Sequence, residues 1–290
     1  IGGELAVRGT VGLARWGRVS PGIIGATIVA FATSSPEPAV AVSSALAGRP
    51  QISLGDALGS NVVNVALILG LTLALAAMSA PRSSIRRDFP VALAVPGLTA
   101  VLLLDGRLSR LDGLLMMALF MGWLVATIRE ARRQRRLARE DEERPRARRA
   151  IALTVVGLAF LAGAGPLVVG GARGIALALG ISEFVIGVTL VAVGTSLPEL
   201  ATAVVSKLRG HDEIGLGAVL GSNIFNGLWI IAVAAVIHPI DVDRQTVMIS
   251  LAFGAFAVAC VLPTRAGLIR RWRAMLLLAI YAAFVVMMIR

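Results

Sequence analysis

Cysteine and histidine are nearly missing from this 290-residue chain, which has one of the first, Cys260, and two of the second, His211 and His238. A lone cysteine allows no internal disulfide, and inside an apolar run it reads as a small buried hydrophobe. The histidines sit in joints between apolar runs without ligand spacing, so a zinc site and a histidine-assisted nucleophile both lack support. No metalloprotease helix motif, P-loop or dinucleotide fingerprint occurs either. Charge is also scarce, at 16% of residues against 57% apolar, with a mean hydropathy of +0.84. Apolar runs long enough for a bilayer exclude a soluble domain, and the absent motifs leave no case for an enzyme or a resident cofactor.

The net charge of +11 does not point to nucleic acid. Ten arginines lie in Arg129–Arg149, and most others sit in short joints, the footprint of a membrane protein whose basic residues stay on the cytoplasmic side. Apolar stretches fall near 1–15, 20–47, 53–78, 89–104, 109–128, 151–179, 183–206, 214–237, 245–262 and 267–289. The chain is therefore expected to be an all-α membrane protein of ten transmembrane helices. Residues 1–128 would form a first five-helix repeat, 129–149 a basic cytoplasmic linker and 150–290 a second five-helix repeat. The linker alternates basic and acidic runs, could extend helix five as far as Pro145, and offers arginines to anionic lipid head groups.

The joints after odd-numbered helices hold Arg15, Arg18, Arg82, Arg86, Arg87, the arginine run, Lys207, Arg209, Arg265, Arg270, Arg271 and Arg273. The even joints hold little beyond Arg49, Arg107, Arg110 and Arg244. That bias places the odd joints in the cytoplasm and both termini outside, in a plasma or inner membrane. The first helix is short. At the repeat offset Ile1 pairs with Gly163, while the apolar run of the second half begins near Ile151, so about a dozen residues of that crossing are expected to be absent.

The repeat itself is the strongest feature. Ile24–Asn64 recurs as Ile186–Asn226 without a gap, and 23 of the 41 positions are identical. Five crossings separate the copies, an odd number, so the second must be inverted in the membrane. Each copy carries one glutamate inside an apolar run, Glu37 and Glu199, the only acids expected deep within spans. An ionised carboxylate at the bilayer centre costs about 2.5 to 3.5 kcal/mol on insertion scales, and no Lys, Arg or His stands nearby as a counter-ion. A mobile cation or a proton is the natural partner.

Pro36 and Pro198 precede the glutamates, and a proline within a helix removes a donor and disturbs the carbonyl of residue i−4. Freed carbonyls near Ala30, Ala32, Ala192 and Gly194 would point inward beside Thr33, Ser34, Thr195 and Ser196. Ser60 with Asn64, and Ser222 with Asn226, stand at i and i+4 on one helical face. Hard oxygen ligands of this kind suit Ca²⁺ and Na⁺. Asn61 and Asn223 face elsewhere and read as braces for broken backbone. Gly55, Gly59, Gly217 and Gly221, spaced by four, favour close helix approach. Asp56 reads either as a residue at a helix N-terminus near the membrane edge or as an entry-path acid. Glu183 after Ser182 reads as part of a cap.

On the segments TSSPEP, TSLPEL, GSNVVN and GSNIFN, both copies resemble the repeats of the Ca²⁺/cation antiporter superfamily, which includes the sodium/calcium exchangers. That resemblance implies two inverted repeats meeting at the membrane midplane. The implied ligands are Thr33, Ser34, Glu37, Ser60 and Asn64, then Thr195, Ser196, Glu199, Ser222 and Asn226, with backbone carbonyls at Ala30 and Ala192. It also implies that helices one and six slide as a gate. Transported Ca²⁺ and Na⁺, or H⁺, would be the partners, in a protein working as a monomer in the bilayer. Two departures stand out. Asn occupies both 64 and 226 where some relatives have one Asp, leaving a local fixed charge of minus two. In the first copy Ser35 and Pro38 flank the Pro-Glu pair differently. Exchange of Ca²⁺ for Na⁺ is the leading expectation, a Ca²⁺/H⁺ or K⁺-dependent exchanger the alternative, and a cation channel the more distant one.

Overall fold

The computed structural model describes residues 2–137, 147–160, 192–242 and 244–289. Helices occupy the described part of every apolar stretch, and the expectations for Glu183, Pro145 and the rest of 138–146 and 161–191 lie outside the described residues. Two long helices form the centre. Pro50–Leu75 and Asp212–Ile237 each have 26 residues, and 78% and 72% of their most apolar windows are buried inside the protein. Arg110–Leu137, as apolar but only 28% buried, lies on the outside. Its Leu111, Leu114, Leu115 and Leu119 are exposed, as an apolar face must be when its surroundings are lipid tails. This helix runs on to Leu137, so the expected extension of helix five into the basic segment is present that far.

Small residues decide how the centre packs. Pro21–Thr33 crosses Asp212–Ile237 backbone on backbone: a Cβ on Gly217 would stand 2.6 Å from the Gly22 carbonyl oxygen, and one on Gly221 would collide with the Ala26 carbonyl. From the other side, a Cβ on Gly25 would stand 2.6 Å from the Ile214 oxygen. The close-approach reading therefore holds for Gly217 and Gly221. It fails for Gly55, where an added Cβ meets nothing within 4 Å. The helices Gly2–Gly17 and 147–160 touch in the same manner, with Gly9 against Thr154 and Gly157 against Ala6.

The connections repeat across the two halves. Pro36–Leu46 ends at Gly48 with φ +72°, and Leu197–Leu208 at Gly210 with φ +71°. At each, the amide two residues beyond the cap returns to a serine carbonyl, Arg49 to Ser44 and His211 to Ser206, both at 2.8 Å. That closure satisfies carbonyls a helix end would leave open, and its positive φ favours glycine. Two short antiparallel ladders then join one half to the other. Met78 and Ser79 pair with Ile269 and Leu268, while Arg107 and Leu108 pair with Asp241 and Ile240. At the first, Lys207 bonds the Ala77 carbonyl and Asp212, whose Oδ2 accepts the Ser79 amide at 2.8 Å.

Overpacking a filled contact costs about 1 to 3 kcal/mol. Gly221→Ala should accordingly lower the thermal unfolding midpoint in detergent by several degrees, whereas Gly55→Ala should leave it nearly unchanged. Equal midpoints for the two variants would contradict the crossing described here.

Candidate cation site

Each half contributes a broken helix and a central helix. In the first, Pro21–Thr33 and Pro36–Leu46 meet at an angle of 47°, and Ser34 at the break has φ −82° and ψ 26°. In the second, Ser196 has φ −87° and ψ 5° between Ala192–Thr195 and Leu197–Leu208. Both breaks fall two residues ahead of the proline, so Pro36 and Pro198 take the first turn of a new helix, where a missing amide proton is harmless. The glutamates follow in that same turn. Beyond each GSN triplet the central helix widens into a π turn, over Val63–Leu69 and Asn226–Ile230. Such a turn shifts side chains off the regular face.

All twelve positions expected to hold cations are buried, none more than 9% exposed. Glu199 Oε1 accepts Ser34 Oγ at 2.8 Å and Ser222 Oγ at 3.1 Å, and the two hydroxyls stand 2.9 Å apart. Ser60 Oγ is 3.5 Å from Thr195 Oγ1. Thr33 and Thr195 also bond back to the Ala30 and Ala192 carbonyls at 3.2 Å, and the amides of Ser34 and Ser196 return to the same oxygens. The site is thus assembled from both halves, with Ser34 of one reaching the carboxylate of the other.

The halves are not used equally. Exchanging them would pair Ser196 with Glu37, yet Ser196 Oγ and both Glu37 oxygens are buried without a hydrogen-bond partner. Glu199 Oε2, Asn64 Oδ1 and both polar atoms of Asn226 are in the same condition. Burying such groups unpaired is expensive, most of all for a carboxylate. A cluster of carboxylate, amide and hydroxyl oxygens in that state has the chemistry to hold a hard cation.

Asn61 and Asn223 do more than brace their own helices. Asn61 Nδ2 donates to the Asn223 carbonyl at 3.3 Å, Asn223 Nδ2 returns a bond to the Asn61 carbonyl at 3.1 Å, and Asn64 Nδ2 donates to Asn223 Oδ1 at 3.0 Å. Two further acids are buried, Asp88 at the start of its helix and Asp56 in the second turn of Pro50–Leu75. Asp88 is explained by Arg87, whose guanidinium forms two bonds of 2.7 and 3.0 Å to it, and by Trp123 Nε1 at 3.2 Å. Asp56 is 9% exposed and neither oxygen has a partner. The helix-end reading of Asp56 is wrong, because the helix begins at Pro50 and places it in the second turn. The available signal was its position four residues before Ser60, on the same face.

Comparison with known proteins gives one consistent result. The family model described as sodium/calcium exchanger protein matches residues 1–129 and 149–290. A putative antiporter, CaxA, of Alkalimonas amylolytica is 37% identical over 244 residues, covering 82% of this chain and 76% of that protein. The sodium/calcium exchanger MaX1 of Methanosarcina acetivorans is 28% identical over 334 residues, covering 99% of this chain and 94% of that one. A solved structure of the sodium-calcium exchanger NCX_Mj, soaked with Na⁺ and Sr²⁺, superposes with a TM-score of 0.85 at 32% identity, covering 98% of this chain and 93% of its own.

Asn223→Ala removes two interhelical hydrogen bonds at once and strands the Asn64 amide, while the backbone carbonyl that accepts from Asn61 remains. A loss of about 1 to 3 kcal/mol is expected, larger than for Asn61→Ala, when thermal unfolding of the two variants is compared in detergent.

Proposed function

The chain belongs to the sodium/calcium exchanger protein family, and from that premise we propose that it exchanges Ca²⁺ for Na⁺ by alternating access at the Glu37/Glu199 cluster. The observation carrying this reading is the set of buried oxygens without partners: both of Glu37, Oε2 of Glu199 and Oδ1 of Asn64 and Asn226. The proposed ligands are Thr33, Ser34, Glu37, Ser60, Asn64, Thr195, Ser196, Glu199, Ser222 and Asn226, with the carbonyls of Ala30 and Ala192. Two glutamates balance one Ca²⁺ or two Na⁺, so either ion set neutralises the cluster and the two exclude one another. An empty cluster keeps bare charge in a dry site and resists reorientation, while a loaded one crosses.

Ten crossings in two inverted halves belong to this proposal. The matching helix ends at Gly48 and Gly210, the reciprocal Asn61 and Asn223 bonds, and the two interlocking ladders support it. So do the basic residues on one face, where Arg82, Arg86, Arg87 and Arg133 line a cavity of about 510 Å³ that suits an anionic head group. That face would be cytoplasmic in a plasma or inner membrane, with both termini outside. The helices Gly2–Gly17 and 147–160 would slide against the centre as the gate. Since both halves of the site come from one chain, a monomer suffices.

A proton as the driving ion is the second reading. One observation favours it: Glu37 has no fixed donor, so a proton could neutralise it as readily as Na⁺.

In vesicles, Glu37→Gln or Glu199→Gln should cut ⁴⁵Ca²⁺ uptake below about a tenth of wild type, and uptake should require Na⁺ on the opposite side. Undiminished uptake in either variant would refute the site. Uptake driven equally by a pH gradient without Na⁺ would select the second reading, and uptake needing no counter-cation would indicate a channel.

A further inference from the structure

Asp56 is left over once the glutamate cluster is assigned. It lies four residues before Ser60, so the two share one face of the Pro50–Leu75 helix. At 1.5 Å per residue it stands about 9 Å in from Pro50, and Ser60 about 6 Å deeper. Its side chain is buried and both oxygens lack a partner, a state that calls for a bound cation as Glu37 does. Among the described residues no three acids gather around a single point, and Asp56 lies one helical turn before Ser60.

The position has no twin. Its equivalent in the second half is Ala218, buried in an apolar cluster with Ala6, Val29 and Leu158. One half therefore places a carboxylate where the other places a methyl group. The Pro50 end belongs to the face of the Arg107–Leu108 and Ile240–Asp241 ladder, since Gln51 Nε2 donates to the Asp241 carbonyl at 3.2 Å. The Leu75 end leads within seven residues to Arg82, which lines one cavity with Arg86, Arg87 and Arg133.

We propose that Asp56 is a separate cation station on the path from the face opposite the basic segment, holding an ion before it reaches Glu37 and Glu199. This rests on the exchanger reading above. It makes access unequal: a cation arriving from the Asp56 face meets a carboxylate one helical turn before the cluster, and one arriving from the basic face does not.

The test uses right-side-out and inside-out vesicles whose orientation is read from trypsin access to the arginine run. Half-saturating Ca²⁺ and Na⁺ are measured on each face for wild type, Asp56→Asn, Asp56→Ser and Asp56→Glu. Wild type should show the lower values on the face opposite the arginines. Asp56→Asn and Asp56→Ser should raise them there by about tenfold, with a smaller change on the basic face, and Asp56→Glu should recover most of the affinity. Equal wild-type values on the two faces would overturn the proposal even if no neutral variant folds. So would an equal shift on both faces, or no shift. Flux lost in Glu37→Gln with an unchanged face ratio in Asp56→Asn would remove this station alone, whereas flux retained in Glu37→Gln removes the exchanger reading beneath it.

Discussion

A carboxylate buried away from water must be neutralised, and Glu37 and Glu199 have no basic side chain bonded to them among the described residues. Most of the central architecture serves that constraint. Broken helices bring each glutamate, buried, into the first turn of a new helix. Two glycines, Gly217 and Gly221, let the opposing helix come close enough for Ser34 of one half to reach Glu199 of the other. Without that approach the polar groups would lie on separate surfaces, each paying its own desolvation penalty.

The inequality between the glutamates is as informative as their pairing. Glu199 is held by two serine hydroxyls while Glu37 is held by none, although Thr, Ser and Pro precede both at matching positions. Two segments identical at 23 of 41 positions have thus settled into two different environments.

How much of this was legible before folding depends on the kind of signal. Helix positions followed from apolar runs, and the cluster followed from polar residues that recur where only lipid-compatible ones are expected. Thr33, Ser34, Glu37, Ser60 and their counterparts are all buried for that reason. Asp56 was harder, since its nearness to Pro50 resembles a helix start and its burial depends on what packs over it. The exchange of bonds between Asn61 and Asn223 was invisible, because each asparagine on its own helix shows only a direction, and reciprocity exists only once the halves meet. Gly55 and Gly217 look alike in sequence, but only the second lies under a neighbouring backbone.

The two ladders that tie the halves together have a consequence for how the chain matures. Residues 78–79 wait for 268–269, and 107–108 wait for 240–241, so the amino-terminal half leaves the ribosome with unpaired backbone edges at both ends of its bundle. Contacts this distant along the chain form late. Both edges of the amino-terminal half are thus completed only by residues made more than 130 positions later.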